Sequence, residues 1–472
     1  MIDRAALWSV GQQFGRQGIN YLAFAVLALF LSPQAFGLVG IGLVWINFGQ
    51  IFAELGFGAA IVQRPTLHER HLSTTFALNL VIGALLTVAG ILGAGPIAFL
   101  FDAPAAEPVI RLLSTTFVLR SLGLTHAVIA QRNLDFRGLA TRDTIAAAGG
   151  AAVGIPLAIA GFEVYALVWQ SIASSLLGSL LFLRMTAWRP NLTHCSRSAL
   201  SELWSYSSQI FLFGAFKFLA QNADKLVVAY LLGPAALGIY TLASRLVLVP
   251  ISTFAGALGS YLFPKLASLQ SRRTDARAAF VDAMAFTARV IAPVVVVTAI
   301  IGPGVVRLVF GAEWTPASQL LPLMAVTAAA TAVISPAGQV MKAMGRPQWL
   351  LWWAVAFTGL IVAALAVGAP GGLRGMTAAV AIAHVGAVAV IQRVLSSLLG
   401  LSVMQAVEVI RTPVLGSLGS GAIVLVVSRW LPMDAWSGLA GASIAFAAAY
   451  VAAVFVFDRV RAKFPRASPS AD

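Results

Sequence analysis

The residues with chemistry to offer lie where charge is costly. Lys217, Gln221, Asp224 and Lys225 follow one another inside a run that is otherwise apolar from 203 to 232. Spacings of four, three and one put them on or near one helical face. Arg245 follows in the next apolar run. On the first run Gln13, Arg16 and Asn20 form a second stripe, and on the next Asn47, Gln50 and Glu54 form a third. Arg120 falls near the middle of the fourth run and Arg289 within the ninth. Charged side chains at bilayer depth face a bundle interior or a water-filled cavity, and they mark substrate and ion pathways. Deep within the runs the cations Arg16, Arg120, Lys217, Lys225, Arg245 and Arg289 outnumber the acidic candidates Glu54 and Asp224. Such a lining suits an anionic passenger, a phosphate or diphosphate.

The expected substrate-binding set is therefore Arg16, Asn20, Arg120, Lys217, Gln221, Asp224, Lys225 and Arg245. Glu54 and Asp224 are the candidates for sensing a coupling ion. A structural alternative stands beside each. Asp224 could pair with a basic neighbour and hold helices together. Arg289 is read as snorkelling to the cytoplasmic end, and Glu54 could cap its helix or join two lobes.

Other chemistry is excluded by what the chain lacks. Cys195 is the single cysteine, so no intramolecular disulfide and no cysteine metal site can form. There is no Walker A loop, no H-E-x-x-H and no G-x-S-x-G elbow, which removes intrinsic ATPase, zinc-protease and α/β-hydrolase readings. No cofactor is expected. His68, His71 and His194 are expected in loops, solvated. His126 and His384, within or near spans, are read as hydrogen-bonded packing residues, with a proton relay as the functional alternative.

The elements that position these residues follow from composition. The chain has 472 residues, 59% hydrophobic and only 10% charged, with a mean hydropathy of +0.89. Soluble domains carry about 25% charged residues, so the expected fold is an all-α polytopic membrane protein. Apolar runs long enough to span fall at 9–31, 35–62, 72–99, 108–131, 139–161 and 163–186. A second six fall at 203–232, 235–260, 276–304, 316–342, 347–369 and 372–399. Two more lie at 407–430 and 436–457, which makes fourteen predicted spans. The start, Met1-Ile2-Asp3-Arg4, leads into a long helix rather than a cleavable signal.

The net charge of +14 is explained by topology, not by nucleic acid. With these spans, one set of alternate ends and loops holds only Arg111, Arg307, Arg374 and Arg429, while the other collects most of the 31 basic residues. By the positive-inside rule both termini are cytoplasmic. The outward loops are too short to fold into a catalytic domain.

The chain also repeats. Leu31-Ser32-Pro33-Gln34-Ala35-Phe36-Gly37-Leu38 answers Leu232-Gly233-Pro234-Ala235-Ala236-Leu237-Gly238-Ile239, and the same offset places Arg16 on Lys217 and Asn20 on Gln221. The predicted organisation is two six-helix lobes in parallel tandem repeat, 1–200 and 201–400, with a cavity between them as the substrate path. A helical hairpin at 401–458 and a cytoplasmic tail at 459–472 complete it.

Several stretches carry a resemblance. The second span ends in Glu54-Leu55-Gly56-Phe57-Gly58-Ala59-Ala60-Ile61-Val62-Gln63-Arg64, and the fourth runs into Gln131-Arg132-Asn133-Leu134-Asp135-Phe136-Arg137-Gly138-Leu139-Ala140. Asn222-Ala223-Asp224-Lys225 leads to Tyr240-Thr241-Leu242-Ala243-Ser244-Arg245-Leu246, followed by Phe263-Pro264-Lys265-Leu266 and Gly345-Arg346-Pro347. In order and spacing, over residues 1–400, the chain resembles the Wzx-like flippases, the polysaccharide-export branch of the multidrug/oligosaccharidyl-lipid/polysaccharide exporter superfamily.

The resemblance implies a secondary transporter, not an enzyme. It implies alternating access, a lipid-linked oligosaccharide as substrate and a proton or sodium gradient as energy source. The setting implied is a bacterial inner membrane, among membrane lipids and beside polysaccharide polymerase and export machinery. A drug/cation antiporter of the same superfamily is the close alternative, although that would favour an acidic, aromatic lining. A membrane-embedded polymerase or ligase is the distant one.

Overall fold

A computed structural model describes residues 18–463 apart from 20, 56, 65, 433 and 434. Among the described residues every regular element is a helix. The first fully described ones are α1 (Pro33–Glu54), α2 (Phe57–Gln63), α3 (Glu69–Leu100) and α4 (Ala106–Arg132). There follow α5 (Phe136–Ile159), α6 (Val164–Met185), the long α7 (Arg197–Ser268) and α8 (Arg273–Ile300). The short α9 (Gly302–Phe310) leads to α10 (Thr315–Ala343), α11 (Pro347–Gly368), α12 (Gly372–Leu399), α13 (Val403–Val427) and α14 (Trp436–Lys463). Ten stretches of the described residues are long and apolar enough to cross a membrane. Two of these, Gln221–Ser268 and Gln348–Leu399, run 48 and 52 residues, well beyond the roughly 20 that one crossing needs. The chain is an all-α, multi-pass membrane protein.

Punctuation in the sequence explains the breaks. Ser32 caps α1, accepting from the Ala35 amide at 3.3 Å, with Pro33 at the first helical position, where its missing N–H costs nothing. The repeat-related Gly233 interrupts α7 with φ 79° and ψ −177°, a left-handed backbone that glycine alone adopts without strain. Pro234 then restarts the helix as Pro33 does. In the motif that follows α4, Leu134 turns the chain at φ 57°. Asp135 caps α5 by accepting from the Gly138 amide at 2.9 Å, and Arg132 donates to the carbonyls of Ile61 and Arg64 at the end of α2. That motif is thus a helix connector tied to its neighbour.

The chain divides into two compact units, Met1–Thr241 and Leu242–Asp472. In the first, Leu38, Ile41, Ala94, Ile110, Ala229 and Leu237 share one apolar cluster, so the helix ahead of Gly233 packs with α1, α3 and α4. Here Gly37 and Gly238 allow a close approach. A Cβ on Gly37 would collide with the Pro234 carbonyl, and one on Gly238 with the Pro33 carbonyl. In the second unit, Leu262, Phe280, Met284, Val340, Met341 and Ile391 form the core.

Candidate functional site

The helix up to Gly233 presents the polar stripe. Gln221 is exposed, and Asp224 and Lys225 are half-buried. The break at Gly233 folds the chain back so that Tyr240, 2% exposed, donates its hydroxyl hydrogen to Asp224 Oδ2 at 2.9 Å. A carboxylate in apolar surroundings requires such a donor, because an unpaired charge there is strongly disfavoured. Lys225 Nζ donates to Asn222 Oδ1 at 3.4 Å, and Asn222 Nδ2 donates to the Phe218 carbonyl. Asp224 and Lys225 therefore hold distinct neutral partners, Tyr240 beyond the Gly233 break and Asn222 within the same helix.

Arg120 lies elsewhere in the first unit, its Nε donating to Ser175 Oγ at 3.0 Å between α4 and α6. Arg245 is half-buried and belongs to the second unit. Arg16 and Asn20 lie outside the described residues, and so do the side chains of Glu54 and Lys217. The structure thus brings Gln221, Asp224 and Lys225 together and places Arg120 at a different helix pair. Arg289 contributes its carbonyl to the Tyr450 hydroxyl at 2.9 Å.

Beside the stripe runs an aromatic ladder that the polar pattern does not reveal. Phe48 of α1 meets Phe218 with ring centroids 5.5 Å apart, and Phe52 meets Phe211 at 5.0 Å. Trp45 continues the row, 6.4 Å from Phe48, with its indole N–H donating to Ser114 Oγ at 3.1 Å. The spacing of Trp45, Phe48 and Phe52, three and four residues, is the signal that could have found it. Binding sites for organic ligands combine such aromatic walls with a few placed polar groups.

A second polar centre lies near the start of α7. His71, expected to be solvated, is instead fully buried, with 0% exposure. Its Nε2 is 3.2 Å from Glu202 Oε2, and its Nδ1 accepts from the His68 amide at 3.1 Å. Arg70 reaches the same carboxylate at 3.2 Å, and Arg64 pairs with it too. The hydrogen bond from His71, reinforced by the charges of Arg70 and Arg64, holds the Glu202 carboxyl below its ordinary range. The expectation failed because the partner of His71 lies 131 residues further along the chain. His126 is the packing residue expected, fully buried, with Nδ1 at 2.5 Å from Thr186 Oγ1 and its ring against Trp188. His384 likewise bonds the Val380 carbonyl at 2.9 Å. Cys195 is free and exposed. Among the described residues no cluster of His, Cys, Asp or Glu could hold a metal ion.

Helices this long and apolar, interrupted at Gly and Pro positions and carrying charges within them, define the class of polytopic helical membrane proteins. The chain belongs to the family described as Polysaccharide biosynthesis protein, whose model matches residues 26–319. It is 24% identical over 368 residues to the succinoglycan biosynthesis transport protein ExoT of Rhizobium meliloti, covering 78% of this chain and 74% of that one. It is 25% identical over 357 residues to the lipopolysaccharide biosynthesis protein WzxC of Escherichia coli, covering 74% and 72%. Among solved structures, the lipid II flippase MurJ in an inward closed conformation superposes with a TM-score of 0.76, over 96% of this chain and 99% of that one, at 15% identity. A multidrug resistance MATE family transporter of the MOP superfamily, in an inward-facing conformation, shares the fold too, with a TM-score of 0.63 over 83% of this chain and 98% of that one at 17% identity.

Proposed function

We propose that this protein is a lipid-linked oligosaccharide flippase, a secondary transporter rather than an enzyme. It would turn a polyprenyl-diphosphate-linked glycan from the cytoplasmic to the outer leaflet of a bacterial inner membrane by alternating access. Membership of a polysaccharide biosynthesis family and a flippase-like fold support the class of passenger. The observation that carries the site is the Gln221–Asp224–Lys225 stripe, held by Tyr240 and Asn222 beside the aromatic ladder. Cations suit a diphosphate, and aromatic faces suit the apolar faces of sugar rings. Arg16, Asn20, Arg120, Lys217 and Arg245 complete the proposed substrate set.

The proposed energy source is a proton or sodium gradient sensed at Asp224 or Glu54, with both termini cytoplasmic as the basic-residue asymmetry indicates. The proposed organisation remains two tandem six-helix repeats, 1–200 and 201–400, with the hairpin 401–458 appended. A polysaccharide polymerase acting on the flipped product is the expected partner. The test is replacement of Lys217 or Asp224 by Ala in a strain whose surface polysaccharide depends on this protein. Export should be abolished while membrane abundance stays unchanged. Full export from the double variant would overturn the proposed site.

A further inference from the structure

The second unit holds a cavity of about 360 Å³ between α8 and α13. Asp282 and Arg289 line it from α8, together with Phe286, and Val409, Thr412 and Pro413 line it from α13. We propose that this cavity binds the headgroup of an inner-leaflet phospholipid bearing a primary ammonium, of the phosphatidylethanolamine kind. The orientation rests on the cytoplasmic termini of the proposed function; the rest of the argument does not.

Two prolines shape the site. Pro293 has no N–H, so α8 offers no helical donor to the Arg289 carbonyl, and the Tyr450 hydroxyl of α14 donates to it at 2.9 Å. Pro413 leaves the Val409 carbonyl in the same position within α13, and Val409 and Pro413 both line the cavity. The cavity therefore offers acceptors, the Asp282 carboxylate and the Val409 carbonyl, alongside donors, the Arg289 guanidinium and the Thr412 hydroxyl. An anion alone would meet a carboxylate, and a cation alone would meet a guanidinium. A zwitterion satisfies both.

The order of the charges selects the zwitterion further. Asp282 precedes Arg289 by seven residues on α8, about 10 Å of rise, and the long arginine side chain leans back towards the helix start and shortens that gap. The helix start carries Arg273 and Arg277, the cytoplasmic side in the proposed orientation. An inner-leaflet lipid presents its ammonium towards the cytoplasm and its phosphate deeper, so ammonium meets Asp282 and phosphate meets Arg289. A primary ammonium brings N–H donors for Asp282 and the Val409 carbonyl, and a trimethylated one brings none. Phe286, 54% exposed, gives the acyl chains an apolar wall.

The test uses the delipidated full-length protein in detergent. Phosphatidylethanolamine, phosphatidylglycerol and phosphatidylcholine are added separately, and retention is read by native mass spectrometry beside the shift in Tm. Phosphatidylethanolamine should be retained about tenfold better than either of the others. Asp282→Asn should bring it to parity with phosphatidylglycerol. Ala285→Phe, which fills the cavity without touching either charge, should abolish the preference; if it lowers the lipid-free Tm, Ala285→Leu is used instead. Equal retention of the three lipids by the wild type would overturn the proposal, as would a preference that survives both Asp282→Asn and the filling variant. Displacement of the phospholipid by farnesyl diphosphate would overturn it too, by assigning the cavity to the cargo. Retention needs no transport, so loss of the flippase reading in the export assay leaves this result standing, and the reverse holds as well.

Discussion

The two compact units are built with different adhesives. In Met1–Thr241, polar side chains bridge distant segments. His71, Arg70 and Arg64 converge on Glu202, Thr74 Oγ1 accepts from the Ser196 amide at 2.9 Å, and Arg142 donates to the Gly178 carbonyl while stacking on Phe182. In Leu242–Asp472, the hydroxyls of Thr287, Thr298, Thr377, Ser417 and Ser420 return to carbonyls of their own helices four residues back. Two charge pairs there, Arg272–Asp275 and Arg411–Glu408, join residues only three apart, with the arginines exposed. Burying apolar side chains against one another gains little in lipid, which is as apolar as leucine. Among the described residues, directional bonds between distant segments are thus more numerous in the first unit, whereas the second joins the packing of Leu262, Phe280, Met341 and Ile391 to such bonds as those from Arg273 to the Ser397 carbonyl and from the Tyr450 hydroxyl to the Arg289 carbonyl. The difference teaches that two helical units of one chain need not share the same balance of attachments.

The largest test of that contrast is steric. Gly37→Ala forces a methyl into the Pro234 carbonyl and should destabilise the protein by on the order of 1–3 kcal/mol in detergent unfolding. Gly256→Ala in the second unit meets nothing within 4 Å and should leave the midpoint unchanged or raise it by up to ~1 kcal/mol of helix propensity. Equal losses from both would erase the distinction.

Charge removal comes next. Glu202→Gln should lower the thermal midpoint, whereas Asp275→Asn in the second unit should not move it. The pH profile sharpens this. The folded carboxyl of Glu202 lies below its ordinary range because His71, Arg70 and Arg64 favour the charged form. Its contribution is present above the unfolded value and is lost as pH falls through the depressed folded one. The wild-type midpoint should therefore decline on acidification below about 4.5, and Glu202→Gln should flatten that decline. A profile identical in the two proteins would sink the assignment.

The smallest expected effect is Tyr240→Phe, which removes the donor to Asp224. Solvent reaching the half-buried Asp224 replaces much of the lost hydrogen bond, so the stability cost should be about 0.5–1 kcal/mol. Export should fall while Asp224→Asn with Tyr240→Phe restores stability towards wild type. Unchanged export in the single variant would mean that the phenol plays no part in setting the stripe.

Periodic features were readable in the amino-acid sequence. The apolar runs, the Ser32-Pro33 and Gly233-Pro234 breaks and the polar spacing of Gln221, Asp224 and Lys225 are local, and local spacing determines them. Asp224–Tyr240 and His71–Glu202 were not readable, because each joins residues that only the fold brings together. The aromatic ladder escaped for another reason: Trp45, Phe48 and Phe52 look like ordinary apolar lining until Phe211 and Phe218 are placed opposite. Asp282, Arg289 and Val409 stand far apart in the sequence, and only the packing of α8 on α13 shows that they line one cavity.

The reciprocal contact at Gly37 and Gly238 carries a further consequence. Pro33 meets Gly238, and Pro234 meets Gly37, so each helix start rests its proline carbonyl on the other's glycine. A side chain at either glycine would part both starts at once, so the two breaks behave as one joint inside the first unit.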